Sequence, residues 1–248
     1  KIKDGGTLIN KYGLPLPHPG RRVPQYPYPF SAPQADIYAE NIGIDEGSYR
    51  FDVGGKNWML KGVKLNIGGW HNIENALAAI AVSKKLGLTD EQILEAVDLF
   101  RGVKRRFEYH VKGRGAIYID DYAHHPKELE ALISSAKALY PEMQCVVIFQ
   151  PHLFSRTRDF AGAFAASLDL ADEVILLPIY PARELPIEGI SSATILDKMN
   201  LREKRIMEKE AVLDWIRGLQ NKDDLLLITA GAGNIDSMVK PITEIIKG

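Results

Sequence analysis

Hydrophobic and polar positions follow one rule before about residue 69 and another after it. Apolar and polar residues alternate over 36–44, 48–53 and 57–65, a pattern that is typical of half-buried strands. Upstream of these strands, prolines and aromatic residues are dense over 14–33. Proline this frequent forbids a helix and disfavours a central strand, so we expect an extended surface loop there.

Two helices are predicted next. Apolar residues recur every three or four positions over 71–86, and Gly87 is a suitable C-cap for that helix. Thr89 followed by Gln92 resembles a capping box that starts a second helix, which should end at Gly102. The chain therefore begins with a strand-rich unit that closes with two helices.

Strands and helices alternate over the remainder of the chain. The predicted strands are 116–120, 144–149, 173–178 and 225–229, and the predicted helices are 127–139, 158–170, 192–199, 211–219 and 235–246. Continuous apolar strands that alternate with helices indicate a buried, mostly parallel sheet. We predict an α/β protein with a doubly wound, Rossmann-like unit over 104–248, after a smaller strand-rich unit over 1–103.

The candidate chemistry lies at two strand ends. Segment 120–126 reads D-D-Y-A-H-H-P and segment 150–157 reads Q-P-H-L-F-S-R-T. Each segment follows a predicted strand and precedes a predicted helix. Because ligands bind at the carboxyl edge of a parallel sheet, we expect both segments to contribute to one site.

Residue chemistry suggests roles for these segments and leaves alternatives open. Asp121 could accept bonds from two ribose hydroxyls, or it could simply form a turn beside surface histidines. Arg156 has the planar fork that binds carboxylates and phosphates, although an arginine at a helix start can also point into water. Adjacent residues rarely point at one ion, so we predict no metal site in 120–126.

Three further segments are weaker candidates. Asn72 and Asn75 are three residues apart on one helix face, where amides could bind an adenine edge, unless Asn72 only caps the helix. Arg105 and Arg106 could bind phosphate or form a solvated pair. Segment 230–234, A-G-A-G-N, resembles part of a dinucleotide fingerprint and could contact an anion at a helix start.

Composition narrows the class of protein. Hydrophobic residues make up 46%, charged residues 25%, and the formal net charge is −1, which is ordinary for a soluble globular protein and gives no basic field for nucleic acid. No apolar run reaches the roughly 20 residues of a membrane span. Cys145 lies in an apolar run and reads as a core residue, so we expect a cytoplasmic protein without disulfides, nucleic-acid partners or membrane partners.

Several blocks together resemble the C-terminal half of the Mur ligases. The matching blocks include H-N-x-x-N-A in 71–76 and G-V-K-R-R-F-E in 102–108. The others are 120–126, 150–157, 179–187 and 231–235. The resemblance runs in order from about residue 69 to the end of the chain. It implies that 1–103 is the C-terminal portion of the central ATPase domain and that 104–248 is the amino-acid-binding domain.

The resemblance implies an ATP-dependent ligase of peptidoglycan synthesis that joins L-alanine to UDP-N-acetylmuramate through an acyl phosphate. The implied nucleotide-binding residues are His71, Asn72, Asn75, Arg106 and Asp121. The implied amino-acid pocket contains Tyr122, His124, His152 and Arg156, and the last three are the candidate catalytic residues. ATP and Mg²⁺ are the implied cofactors, with the Mg²⁺ ligands expected upstream of this chain.

The chain departs from the family in two ways. Leu153 stands where the family often has arginine, and no G-x-x-x-x-G-K-S/T phosphate loop occurs in the sequence. We therefore expect a fragment that lacks the N-terminal part of its own chain and is inactive alone.

Three alternatives remain. One is the ligase that recycles a murein tripeptide, whose second motif reads E-P-R-S-N-T. Another is a non-catalytic module that binds a nucleotide or an amino acid. A third is a hydrolase that uses the paired histidines.

Overall fold

The computed structural model describes residues 7–11, 25–28, 35–113, 115–219 and 223–248. The chain divides into two compact units, Lys1–Arg101 and Gly102–Gly248. Sequence reasoning placed this division two residues later, after 103. The assignment of the two units to particular Mur ligase domains stays a prediction.

The described residues of the first unit form two small sheets. Strands β1 (Leu8–Lys11) and β2 (Gln25–Tyr28) pair in parallel. Strands β3 (Ile37–Asp45), β4 (Ser48–Gly55) and β5 (Trp58–Leu65) form an antiparallel sheet in that order. The prediction of a loop throughout 14–33 is wrong at β2, because each strand of a two-stranded sheet is an edge, where proline is tolerated. The remainder of that predicted loop lies outside the described residues.

Helices α1 (Trp70–Lys85) and α2 (Asp90–Leu99) complete the first unit. Gly87 has a φ of +81° and its N–H donates to Lys84, while the N–H of Leu88 donates to Ser83. This is the left-handed glycine cap that the sequence predicts. The capping box between Thr89 and Gln92 is also present.

The described residues of the second unit form one sheet of six strands. In chain order they are β6 (Glu108–Lys112), β7 (Ala116–Asp121), β8 (Gln144–Phe149), β9 (Glu173–Leu176), β10 (Lys204–Ile206) and β11 (Leu225–Ala230). Their order across the sheet is β10-β9-β8-β11-β7-β6, and every neighbouring pair is parallel except β6 with β7. The α/β prediction with a mostly parallel sheet is therefore confirmed.

Helices cover both faces of this sheet. They are α3 (Pro126–Leu139), α4 (Phe154–Leu168), α5 (Ala193–Leu196), α6 (Lys209–Arg217) and α7 (Val239–Lys247), with a 3₁₀ turn at Asn234–Met238. On one face Val146 and Ile148 lie in a buried cluster with Ile216 and Ile242. On the other face Phe149 packs against Phe164, with ring centroids 5.4 Å apart. Burial of such side chains contributes roughly 1.5–3 kcal/mol each, so the sheet is a rigid base for its edge loops.

Two details differ from the sequence prediction and affect the site. Strand β6 was missed, because its half-buried residues do not alternate clearly. Helix α4 begins at Phe154, four residues before the predicted start, so Arg156 lies inside its first turn. Among the described residues, no helix is long and apolar enough to cross a membrane.

Candidate functional site

Strands β7 and β8 end at one edge of the sheet, with β11 between them. Ala230 at the end of β11 is in register with Asp121 on one side and with Phe149 on the other. The three carboxyl ends are therefore level. The expectation that segments 120–126 and 150–157 open at one edge is confirmed.

Four rings form a row along this edge. The rings of Tyr122 and His124 lie edge to face with centroids 5.3 Å apart, and His124 and His152 are 6.2 Å apart. His152 stacks on Tyr180, whose loop follows β9, at 5.8 Å. The row connects three separate loops. It brings together His124 and His152, the two histidines predicted for the amino-acid pocket, and it adds Tyr180, which was not predicted as a site residue.

Arg156 contacts this row at His152. Its Nη1 lies 3.4 Å from His152 Nδ1. Because a guanidinium only donates, Nδ1 is the accepting nitrogen and the neutral ring carries its hydrogen on Nε2. Burial lowers the pKa of His152, and electrostatic interaction with Arg156 and His124 lowers it further. His152 is therefore uncharged near neutral pH.

His124 has the opposite tautomer. Its Nδ1 lies 3.0 Å from the carbonyl oxygen of Tyr122, which can only accept, so Nδ1 carries the hydrogen. In the neutral ring, Nε2 then has a free lone pair. The carboxylate of Glu128 lies 3.3 Å from Nδ1 and would stabilise a proton added to the ring. This geometry suits a general base.

The neighbouring histidine is placed differently. The ring of His125 packs edge to face on Phe160 at 5.1 Å, and its backbone N–H donates to Glu128 at 3.1 Å. His125 is the residue before Pro126, where α3 begins. It therefore helps to start the helix, and it does not contribute to the row of rings.

Asp121 is half-buried and already engaged by backbone amides. Its Oδ2 accepts from the N–H of Phe107 and its Oδ1 accepts from the N–H of Ala123, both at 2.7 Å. Burial raises the pKa of Asp121, and these two bonds with the charge of Arg106 oppose that rise. Each oxygen keeps a second lone pair, so the ribose role stays a prediction.

The two arginines of the basic pair differ completely. Arg105 donates from Nε to Asp120 at 3.0 Å and from Nη2 to the carbonyl of Gly231 at 2.5 Å. Its guanidinium also lies over the ring of Tyr122, 5.2 Å from the centroid. Arg106 is exposed. Sequence reasoning did not separate the pair, since the partners of Arg105 are far away in the sequence.

Replacing Arg105 by methionine should lower the free energy of unfolding by about 2 kcal/mol, because the carboxylate of Asp120, which is 1% exposed, would be left without its guanidinium donor. The side chain of Arg105 is itself only 13% exposed. Urea denaturation followed by circular dichroism measures the change. The control is Arg106→Met, which removes the same charge at an exposed position. If the two variants unfold at the same urea concentration, the buried pair has no special role.

The glycines after β11 allow close packing. A Cβ on Gly231 would lie 2.8 Å from the carbonyl oxygen of Gln150, and a Cβ on Gly233 would lie 2.7 Å from Tyr180 Cβ. Gln150 is 4% exposed and its Nε2 donates to Asn234 at 2.9 Å. Close packing against the loops after β8 and β9 is therefore a sufficient reason for these glycines. The anion contact predicted for 230–234 stays untested.

The predicted residues of the first unit lie at the start of α1. His71 is exposed, and the Nδ2 of Asn72 donates to the carbonyl of Gly68 at 2.6 Å. The Nδ2 of Asn75 donates to Asn72 Oδ1 at 3.1 Å, so the two amides share a face as predicted. The N-cap is Gly69, so the alternative that Asn72 only caps the helix is wrong. Nucleotide binding by these residues stays a prediction.

One group of potential metal ligands exists among the described residues, and the sequence analysis missed it. Single ligand atoms of Glu108, His110 and Asp120 lie within 4.8 Å of one another. Both oxygens of Asp120 are already used, by Arg105 at 3.0 Å and by the hydroxyl of Thr229 at 2.7 Å. A guanidinium beside the carboxylate repels a cation. These residues therefore do not fit Mg²⁺.

Comparison with known proteins gives the family. The model described as "Mur ligase, glutamate ligase domain" matches residues 105–233, which is more than half of the chain. The chain belongs to the Mur ligase family. The matched part of this Mur ligase contains both histidine-bearing turns and the loop after β9.

Two curated relatives are similar across both units of this Mur ligase chain. UDP-N-acetylmuramate–L-alanine ligase of Parabacteroides distasonis is 44% identical over 246 residues, which are 99% of this chain and 52% of the relative. The ligase of the same name from Flavobacterium johnsoniae is 45% identical over 208 residues, 84% of this chain and 46% of the relative. The chain spans about half the length of the curated relatives it matches.

A solved structure agrees with the fold. UDP-N-acetylmuramate-alanine ligase from Thermotoga maritima has a TM-score of 0.68 and 29% identity, and the match covers 88% of this chain and 47% of that one. A murein peptide ligase from Psychrobacter arcticus has a TM-score of 0.54 at 20% identity, which supports the fold alone.

Proposed function

We propose that this Mur ligase chain supplies the amino-acid-binding part of an enzyme that joins L-alanine to UDP-N-acetylmuramate and consumes ATP. The proposal rests on the positions of His124, His152 and Arg156, which lie close together at one edge of the sheet. Relatives at 40–45% identity are UDP-N-acetylmuramate–L-alanine ligases, which supports alanine as the amino acid.

Arg156 is the proposed ligand of the alanine carboxylate. A guanidinium binds a carboxylate through two parallel N–H donors, and the partner of its Nη1 in the structure is the weakly held His152 at 3.4 Å. His152 is uncharged beside it because its pKa is lowered by burial and by Arg156. The carboxylate would therefore meet one positive charge, and its charge would be balanced without a second cation.

His124 is the proposed general base. The ammonium group of alanine has no lone pair, so it must lose a proton before it can attack. The free Nε2 of His124 accepts that proton, while Glu128 stabilises the charged ring through Nδ1. The amine then forms the C–N bond at the acyl phosphate carbonyl carbon, and the C–O bond breaks. The phosphate leaves with the electron pair, and the second amine proton leaves with it.

ATP supplies the phosphoryl group of the acyl phosphate in this proposal. The predicted nucleotide-binding residues of this chain are Asn72 and Asn75 in the first unit and Arg106 and Asp121 in the second. The described backbone bonds of Asp121 leave two lone pairs for hydroxyl donors. His71 is exposed at the start of α1 and remains a predicted adenine neighbour.

A chimera tests the proposed function. The chain would replace the matching half of the Parabacteroides distasonis ligase, and phosphate release would be measured with ATP, UDP-N-acetylmuramate and L-alanine. We expect alanine-dependent release by the chimera. The 248-residue chain alone should stay at the blank rate, because its sequence contains no phosphate loop.

The compound that the chimera joins to muramic acid, L-alanine or the murein tripeptide, distinguishes the two ligase functions. If phosphate release by the chimera requires the murein tripeptide and does not respond to alanine, the enzyme is the recycling ligase and the proposal is wrong. A folded chimera that binds alanine and ATP without turnover would favour a non-catalytic module. Release from the chain alone would contradict the expected dependence on the other half.

A further inference from the structure

The loops after β8 and β9 are joined by backbone hydrogen bonds. The N–H of Leu153 donates to the carbonyl of Tyr180 at 3.0 Å, and the N–H of Tyr180 donates to the carbonyl of Pro151 at 2.8 Å. His152 lies between these two bonds and forms an isolated bridge with Tyr180. The position of the His152 ring therefore depends on the loop after β9.

Helix α4 starts without a conventional cap. Its N-cap residue is Leu153, whose side chain contains no oxygen and whose φ is +72°. The first N–H groups of any helix need acceptors, which Ser, Thr, Asp or Asn usually provide from the N-cap. For α4 the acceptor must come from elsewhere in the fold.

Glu184, in the loop after β9, supplies that acceptor. Its Oε2 accepts from the backbone N–H of Ser155 at 2.9 Å, and its Oε1 accepts from the Ser155 hydroxyl. These hydrogen bonds lower the pKa of the Glu184 carboxyl, with a smaller contribution from Arg156. A carboxylate at this position also opposes the positive end of the helix. Glu184 thus does the work of an N-cap from a different loop.

We propose that Glu184 is a positioning residue for the amino-acid site, which caps α4 at Ser155 and so fixes the guanidinium of Arg156 beside His152. Arg156 is the residue after Ser155, in the first turn of α4. When the first turn frays, the guanidinium loses its fixed direction. The proposal deepens the proposed function, on which its kinetic part rests.

The same carboxylate affects where an incoming anion binds. The positive end of a helix attracts carboxylates, and at α4 it would compete with Arg156 for the carboxylate of an amino acid. Glu184 occupies that end through two bonds to Ser155. The substrate carboxylate is thereby directed to the arginine, where the amine can face His124.

The first test uses the 248-residue chain without any ligand. Nitrogen-15 NMR would follow the Ser155 amide and the Nε–H group of Arg156 in the wild type and in Glu184→Gln. We expect faster amide hydrogen exchange at Ser155 and a lower order parameter at Arg156 Nε–H in the variant. The matched control is Glu188→Gln, an exposed glutamate in the same loop, which should leave both signals unchanged.

The second test uses the chimera. Glu184→Gln should raise the KM for L-alanine about tenfold while kcat changes less than about twofold, because loss of a cap weakens orientation and leaves the base in place. The KM for ATP should not change. Ser155→Ala, which keeps the backbone bond and loses the hydroxyl bond, should give a smaller rise, and the two substitutions should not be additive.

Several outcomes would overturn the proposal. One is an Arg156 Nε–H signal that is the same in Glu184→Gln and Glu188→Gln. Another is an equal loss of affinity for alanine and ATP, which indicates general destabilisation. If Glu184→Gln does not fold, Glu184→Asp takes its place in both tests. Because aspartate keeps the carboxylate, its Arg156 Nε–H signal and its KM for alanine should lie closer to the wild-type values than those of Glu184→Gln. If the wild-type chimera ignores alanine, the proposed function fails, while the NMR comparison still decides the role of Glu184.

Discussion

Replacing His124 by glutamine is expected to lower kcat of the chimera for alanine-dependent phosphate release by about 10³-fold. The free Nε2 of His124 is the lone pair proposed to take the ammonium proton, and glutamine has no basic nitrogen. The KM for ATP should change little, since His124 is not among the predicted nucleotide-binding residues. Steady-state rates at saturating alanine and ATP measure the effect.

His125→Gln is the matched control, because the ring of His125 packs on Phe160 and not on the row of rings. We expect this variant to keep kcat within about twofold, well below the 10²-fold or more that a general base contributes. Equal kcat values for the two glutamine variants would show that His124 is not the base.

Replacing Arg156 by methionine is expected to lower kcat/KM for L-alanine by about 100-fold, mostly through KM. The carboxylate would lose its charge-assisted donors, while methionine keeps much of the aliphatic stem. Arg158→Met is the control, since Arg158 is exposed and pairs with Asp159 at 2.7 Å. An unchanged KM for alanine in Arg156→Met would mean that another group binds the carboxylate.

Arg156→Met should also change the titration of His152, which can be measured without substrate. Arg156 is the second cause, after burial, of the lowered pKa of His152. In Arg156→Met the pKa of His152 should therefore rise toward the ordinary value of an imidazole. Nitrogen-15 NMR of the histidine rings against pH follows this directly in the 248-residue chain.

The sign of the stability change follows from proton binding. Because the pKa of His152 is lowered in the folded chain, the unfolded chain binds more protons just below the ordinary imidazole pKa. His152 therefore lowers the stability of the folded state as pH falls through that range. Arg156→Met should reduce this loss, and the slope of stability against pH should become shallower.

The sequence predicted the general fold for a simple reason. Continuous apolar runs such as 144–149 and 225–229 can only be buried strands when helical stripes alternate with them. The level carboxyl ends of β7 and β8 then follow from parallel pairing. This was enough to bring His124 and His152 to one edge.

What the sequence could not predict depends on contacts between distant residues. The acceptor for α4 is Glu184, 29 residues beyond Ser155, so the early helix start had no local signal. Arg105 was not distinguished from Arg106 because its partner Gly231 is 126 residues away. The tautomer of His124 depends on a carbonyl direction, which residue types do not encode.

The sheet order has a consequence for how the protein is made. Strand β11 comes last in chain order among the six strands of this sheet, yet it lies between β7 and β8, which carry the two histidine-bearing turns. During synthesis, both turns leave the ribosome well before the strand that separates and aligns them. A nascent chain that stops before Leu225 would therefore contain every side chain proposed to bind alanine. It would lack strand β11, which sets the distance between β7 and β8. The alanine pocket proposed here can therefore form only after β11 has been synthesised and has paired with both β7 and β8.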